Sequence, residues 1–229
     1  MSALHTTAFQ QDLAATAHHL ATVLPAQAGA TIDRGIYNVA ASGLVSRVLI
    51  VGQTAPDFTL PAADGQLVSL RALLSQGPVV LTFYRGNWCP YCNVQLRAYQ
   101  QLLPELTQLG ATLVAVSPQT PNFTGLTASE KELAFPVLSD VGNQVARQYN
   151  LAFGVGPEVA ETLRSLGIDL RAFNGTSDDE LPLTATFVIA PDGQIAWQWV
   201  EANFKHRADP AQILKAVEQV TVGQGAEVA

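Results

Sequence analysis

The feature that most constrains the fold is an apolar run at residues 79–84 that leads directly into a pair of cysteines. The run reads VVLTFY, and Cys89-Pro90-Tyr91-Cys92 follows it closely. Such a nearly continuous apolar stretch is typical of a central parallel strand that is covered on both faces. Proline is favoured in the first turn of a helix, because its missing N–H would have no partner there. The order predicts a buried strand, a turn, and a helix that begins beside Cys89.

The rest of the chain continues this alternation of strands and helices. Further strands are predicted at 111–116, 185–190 and 195–200, and helices at 122–133, 142–149 and from 210 to about 220. The tripeptide PDG at 191–193 separates the last two strands, which indicates an antiparallel hairpin. The fold class is therefore α/β, a thioredoxin-like mixed sheet with helices on both faces.

Two regions stand apart from this pattern. Residues 1–50 read as an N-terminal helical extension, with a first helix ended by Pro25 and a second from Thr31 to Arg47. The extension is a candidate packing or dimerisation arm. Residues 51–229 form the thioredoxin-like domain, which opens with a strand at 57–60 and a hairpin. Within this domain we interpret 154–180 as an insertion.

Composition excludes several classes of partner and site. The net charge is −7 and no basic cluster is present, so neither nucleic acid nor a membrane surface is an expected partner. The first twenty residues lack the pattern of a secretory signal, which favours a cytoplasmic protein. The only two cysteines lie three positions apart, and the four histidines lie far from them. We therefore expect no metal and no cofactor, but a local redox pair.

The predicted position of the cysteines assigns them different roles. Cys89 lies at the start of a helix, where unpaired N–H groups and the helix dipole favour a thiolate. Cys92 lies one turn further on, so it should be less exposed and less acidic. Cys89 would attack a substrate, and Cys92 would close a disulfide with it. Two inert core cysteines, or a pair that binds copper or zinc, are the alternatives.

The residues around the pair are candidates for the substrate site. Arg85 is a catalytic candidate, because its guanidinium could stabilise the thiolate or a developing negative oxygen. It could equally pair with a surface carboxylate. Asn87 could donate a hydrogen bond to the same site, and the aromatic neighbours could pack over the helix start. The predicted lining comprises Asn87, Trp88, Pro90, Tyr91 and Thr184.

The sequence at 83–92, FYRGNWCPYC, resembles the peroxiredoxin-like branch of the alkyl hydroperoxide reductase and thiol-specific antioxidant family. The resemblance extends over about 51–220 and includes GQTAPDFTL at 52–60, FPVLSD at 135–140 and ATFVIAPDG at 185–193. It implies that Cys89 reduces a hydroperoxide and that a thioredoxin-like or glutathione-based reductant supplies the electrons.

Three positions depart from the family pattern. Typical members have Thr or Ser where this chain has Gly86, Pro where it has Thr82, and Arg where it has Thr184. Arg85 is our candidate for the missing guanidinium. The sequence thus predicts an antioxidant thiol peroxidase, with a possible homodimer through the arm. A thiol–disulfide oxidoreductase is the nearest alternative, and a metal carrier or redox sensor is a third.

Overall fold

The computed structural model describes residues 2–225. The helices are α1 Ser2–Val23, α2 Ala26–Ala41, α3 Leu70–Leu74, α4 Pro90–Gln108, α5 Pro121–Glu130, α6 Gln144–Gln148, α7 Pro157–Ser165, α8 Leu170–Asn174 and α9 Pro210–Gly225. The strands are β1 Thr59–Pro61, β2 Leu67–Ser69, β3 Val79–Phe83, β4 Thr112–Ser117, β5 Val137–Ser139, β6 Ala152–Gly154, β7 Glu180–Pro182, β8 Ala185–Ile189 and β9 Ile195–Val200. No helix in this range is both long and apolar enough to cross a membrane.

A five-stranded mixed sheet in the order β5-β4-β3-β8-β9 forms the centre of the molecule, and helices cover both of its faces. This confirms the predicted fold class. Strands β3, β4 and β5 are parallel, whereas β8 runs antiparallel to β3. Every residue of β3 is buried. Successive side chains alternate between the faces, so that Val80 packs towards α1, α4 and α9 while Leu81 belongs to the opposite core.

The antiparallel pairing of β3 and β8 determines where the functional residues meet. Phe83, the last residue of β3, pairs with Ala185, the first residue of β8. The chain leaves β3 towards the cysteines at the same end of the sheet where it enters β8. Thr184 therefore lies beside the start of the cysteine-containing turn.

Several predicted boundaries are wrong. Helix α2 starts at Ala26, not Thr31, and ends at Ala41, because Gly43 adopts a left-handed conformation that stops it. A separate 3₁₀ turn follows at Val45–Arg47. The first strand starts at Thr59 instead of residue 57. Strands β5, β6 and β7 and helix α8 were not predicted, because each has only three to five residues and none has a clear turn motif or longer periodic run that would indicate it.

The arm packs onto the sheet domain. Helix α1 contacts α4 and α9 and buries Phe9 and Leu13 in one of the two cores, while α2 contacts α7. The segment 154–180 contains α7 and α8 and ends where β7 returns to pair with β6. That this segment is an insertion, and that residues 1–50 form a separate extension, both stay predictions.

Candidate active site

Cys89 lies at the N-terminus of α4, where the sequence places it. Its backbone is extended (φ −91°, ψ 110°), Pro90 occupies the first helical position, and the N–H of Asn93 donates to the Cys89 carbonyl at 3.1 Å. Because α4 is 19 residues long and its first N–H groups have no partners within the helix, its N-terminus favours negative charge on the Cys89 sulfur.

The two cysteines lie within hydrogen-bond reach of each other, and no disulfide joins them. Cys89 is 1% exposed and Cys92 is fully buried, so the predicted difference in exposure is small. The Cys92 side chain donates to the Cys89 sulfur when Cys89 is ionised. This proximity is what an intramolecular disulfide between neighbouring residues on one helix face requires.

Arg207, which the sequence analysis did not identify, lies directly beside both sulfurs. Its Nη2 is 3.3 Å from the Sγ of Cys92 and 3.9 Å from the Sγ of Cys89. Its Nη1 donates to the Thr184 hydroxyl at 2.9 Å and to the His206 carbonyl at 3.0 Å, which fixes the guanidinium. Thr184 therefore serves the site by holding Arg207.

Arg85 is the second buried cation at the site. It is 6% exposed, and its guanidinium carbon lies 3.8 Å from the centroid of the Phe204 ring and 4.9 Å from that of Trp88. No carboxylate pairs with Arg85 or Arg207 within the described part of the chain. A buried charge without a partner is costly, so an anion between the two arginines is strongly favoured.

The pKa values of the two thiols are shifted in opposite directions. Burial raises the pKa of Cys89, but the hydrogen bond from Cys92 and the charges of Arg85 and Arg207 outweigh it and lower the pKa to about 5. Burial, together with the hydrogen bond and negative charge of Cys89, raises the pKa of Cys92 well above its ordinary value. At neutral pH the site therefore holds a thiolate at Cys89 and a neutral thiol at Cys92.

The aromatic residues pack around this charged centre. Trp88 contacts Arg85, and Tyr91 packs edge-on against Phe204 with ring centroids 6.0 Å apart. Asn87 is joined to Gln119 by two hydrogen bonds of 2.8 and 2.9 Å, one through its side-chain oxygen and one through its backbone N–H. Its side chain thus anchors the turn to the loop after β4, and no hydrogen bond from it to a sulfur is found among the described residues.

Gly86 explains one departure from the family pattern. Its φ is 152°, and a Cβ atom there would lie 2.4 Å from Nε1 of Trp88. Any side chain would therefore require both an unusual backbone conformation and movement of the indole. A Thr or Ser hydroxyl has no room at this position while Trp88 contacts Arg85.

Thr82 explains a second departure. Its hydroxyl forms a buried network with Thr186 at 3.0 Å and with Gln95 at 3.3 Å. The Tyr99 hydroxyl joins this network through Thr186 at 3.1 Å and accepts from Nε2 of Gln95 at 3.0 Å. The network lies between β3, β8 and α4. A proline at position 82 would lose these bonds, so Thr82 has a structural role beneath the site.

Sequence reasoning missed Arg207 and Phe204 because no local motif marks them. Arg207 lies 118 positions after Cys89, and only the hairpin β8–β9 and the loop that follows bring it back. The absence of Arg at position 184 was the one signal that a guanidinium must come from elsewhere. Among residues 2–225 no three His, Cys, Asp or Glu side chains cluster as a metal site would require.

A mixed sheet of this order, with a thiolate at the helix start after its central strand, defines a thioredoxin-like fold with a dithiol site. A family model described as "AhpC/TSA family" matches residues 51–198. Because the match covers more than half of the chain, the protein belongs to the AhpC/TSA family.

Individual relatives agree with this assignment. Chloroplastic peroxiredoxin Q of Triticum aestivum is 31% identical over 127 residues, which is 56% of this chain and 58% of that protein. The crystal structure of peroxidoxin BcpB from Mycobacterium tuberculosis superposes with a TM-score of 0.59 at 25% identity, covering 75% of this chain and 96% of that one. Peroxiredoxin 6 of Arenicola marina shares the fold, with a TM-score of 0.61 at 15% identity over 76% of this chain and 75% of that one.

Proposed function

We propose that the protein is a thiol peroxidase that reduces hydroperoxides. The Cys89 thiolate attacks the terminal peroxide oxygen, the O–O bond breaks, and the remaining alkoxide or hydroxide takes a proton and leaves as alcohol or water. Cys89 is then a sulfenic acid. The Cys92 thiol condenses with it to form a disulfide and releases water. A dithiol carrier of the thioredoxin type, or glutathione, returns both cysteines to the thiol state.

The observation that carries this proposal is the position of two buried guanidinium groups beside the Cys89 sulfur. Arg85 and Arg207 lower the pKa of Cys89, and both can stabilise the negative charge that develops on the departing oxygen. Membership of the AhpC/TSA family supports the same reaction. The burial of Cys89 also favours a small oxidant over direct attack on a protein disulfide.

We propose a reducing compartment, the cytoplasm, because the two cysteines form one local pair and not a scattered disulfide framework, although the wheat relative is named as chloroplastic. Because both sulfurs are buried, we expect the first turn of α4 to open when the carrier reduces the disulfide. We further propose that two copies of the chain form a homodimer through the N-terminal arm.

The proposal is tested by the second-order rate of oxidation of the reduced protein by hydrogen peroxide, followed by the fluorescence of Trp88. We expect a rate many orders of magnitude above that of a free thiol at neutral pH. The Cys89→Ser variant is the control that removes the reacting sulfur. A rate no faster than that of a free thiol would refute the peroxidase.

The second candidate is a thiol–disulfide oxidoreductase. Gly86 favours it, since the hydroxyl that typical peroxiredoxins place there has no room in this site. It uses the same two sulfurs, so the two functions differ in substrate. Slow oxidation by hydrogen peroxide together with rapid exchange against glutathione disulfide would identify this activity.

A further inference from the structure

A cavity of about 620 Å³ lies next to Cys89. Its lining combines the active-site turn with the two regions that the sequence analysis separates from the core, namely the arm and segment 154–180. The arm contributes mainly small and aliphatic side chains from α1 and α2, among them Ala17, Leu20 and Gly29. Segment 154–180 contributes Val155 and Leu163. The arm lies outside the part of the chain that matches the family model.

Close packing between α2 and α7 gives this cavity a fixed wall. At Gly35 a Cβ atom would lie 2.7 Å from Cγ2 of Val159, so the Val159 side chain packs directly against the backbone of α2. Arg34 and Glu158 form an ion pair at 3.8 Å along the same contact. The arm is therefore held against α7, and the space between them and Cys89 is part of the fold.

The unpaired charge in the cavity lining lies at one end, beside Cys89. Among the described residues that line it, the charged side chains other than the Cys89 thiolate are Asp33, Arg85 and Lys205. Asp33 and Lys205 form an ion pair with each other. Arg85 therefore remains as the cation without a carboxylate partner, and it lies beside the Cys89 sulfur. A ligand that fits this pattern is apolar along its length and polar only at the end that faces Cys89.

We infer that this cavity binds the chain of a hydroperoxide that carries a long unbranched apolar substituent, with the peroxide group at Cys89. The volume lies within the range of about 300–1,000 Å³ that is typical of sites for one small organic ligand. Burial of each methylene favours binding, whereas hydrogen peroxide gains nothing from an apolar wall. The arm is thus the specificity element. This inference rests on the proposed peroxidase function.

The first test compares three oxidants in single-turnover oxidation of Cys89. We expect n-dodecyl hydroperoxide to react at least about tenfold faster than tert-butyl hydroperoxide, which has no chain to bury. Hydrogen peroxide reports on the proposed function itself. If it reacts rapidly but dodecyl hydroperoxide is no faster than tert-butyl hydroperoxide, the chain-binding site is refuted and the peroxidase stands.

The Gly29→Leu variant tests whether the arm is responsible. A Cβ atom at Gly29 meets no atom within 4 Å, so leucine fits the helix and fills the cavity. We expect the ratio of the dodecyl to the hydrogen peroxide rate constant to fall about tenfold. The matched control is Ala40→Leu, which places the same leucine side chain at an exposed position of α2 outside the cavity and should leave this ratio unchanged. Equal ratios in the two variants would contradict the inference.

Binding of 1-dodecanol, the product of that reaction, provides a readout that needs no peroxidase activity. We expect calorimetry to detect binding to the Cys89→Ser protein and to the Ala40→Leu protein, and to find it weakened in Gly29→Leu. Binding in a protein that is unreactive towards every peroxide would preserve the site and refute the function. If Gly29→Leu instead shifts a dimer to monomer in sedimentation without changing dodecanol binding, the cavity is an interface between copies and the inference is wrong.

Discussion

The first turn of α4 and the loop after β9 both reach the two sulfurs, but they contribute in different ways. The turn supplies Cys89, which we propose as the nucleophile, together with the second thiol and the N-terminal end of the helix dipole, from within four consecutive residues. The loop supplies Phe204, which packs on Arg85, and Arg207, which contacts both sulfurs. The reacting atoms are therefore local in sequence, while half of the charge that controls them is brought by the fold.

The largest expected effect comes from removing the reacting sulfur of the turn. We predict that Cys89→Ser lowers the rate of peroxide consumption by more than about a thousandfold, because no other group in the site is a thiolate. In Cys92→Ser, Cys89 should still be oxidised once, whereas recycling by a dithiol carrier stops. Mass spectrometry of the singly oxidised protein distinguishes the two variants. Loss of the first oxidation in both would mean that the sulfurs do not divide the roles.

Replacing Arg85 and Arg207 by methionine, one at a time, distinguishes the charge contributed by the turn from the charge contributed by the loop. We predict that Arg207→Met and Arg85→Met each raise the pKa of Cys89 by about one to three units and slow its oxidation at neutral pH by about tenfold to a hundredfold. Since Arg207 also faces Cys92, only its loss should raise the pKa of Cys92 as well. Thiolate absorbance as a function of pH measures both pKa values.

The conservative variants Arg207→Lys and Arg85→Lys serve as controls, because they keep the positive charge and lose the planar guanidinium group. We expect them to recover part of the pKa shift. If Arg207→Met leaves the pKa of both cysteines unchanged, the loop contributes packing only. The claim that the loop supplies charge to the two sulfurs would then be wrong.

An intermediate effect is expected at Gly86. We predict that Gly86→Thr destabilises the fold by about 1–3 kcal/mol, because it imposes an unfavourable φ and displaces the indole of Trp88. Thermal unfolding measures this loss. The control is Gly65→Ala, which has a positive φ but meets no neighbouring atom, and should cost less. Faster peroxide oxidation in Gly86→Thr would show that the family hydroxyl can be accommodated after all.

The smallest effect tests the polar network beneath the site. Tyr99→Phe removes one buried hydroxyl that bonds Thr186 and accepts from Gln95, and we predict a loss of about 1 kcal/mol in the free energy of unfolding. Tyr37→Phe, at a side chain that is 72% exposed, should be neutral. Chemical denaturation of both variants measures the difference. Equal stabilities would mean that the network adds nothing.

The difference between the local turn at Cys89 and the distant loop after β9 also explains what the sequence could predict. The buried strand, the turn and the helix at Cys89 follow from apolar runs and from Pro90, and the order of the longer elements defines the mixed sheet. Short elements such as β6 and α8 carry too few residues for a period. Arg207 and the cavity arise from contacts between segments far apart in the chain, and no spacing in the sequence encodes them.

The central claim is that two buried arginines hold Cys89 as a thiolate that reacts with peroxide. Its most direct test is the rate constant for oxidation by hydrogen peroxide measured across pH, with free cysteine as reference. We predict a rate that stays constant above neutral pH and falls on acidification with a midpoint near pH 5, where the Cys89 thiolate takes up a proton. A rate that rises with pH up to the range of an ordinary thiol, about 8.5, would contradict the account.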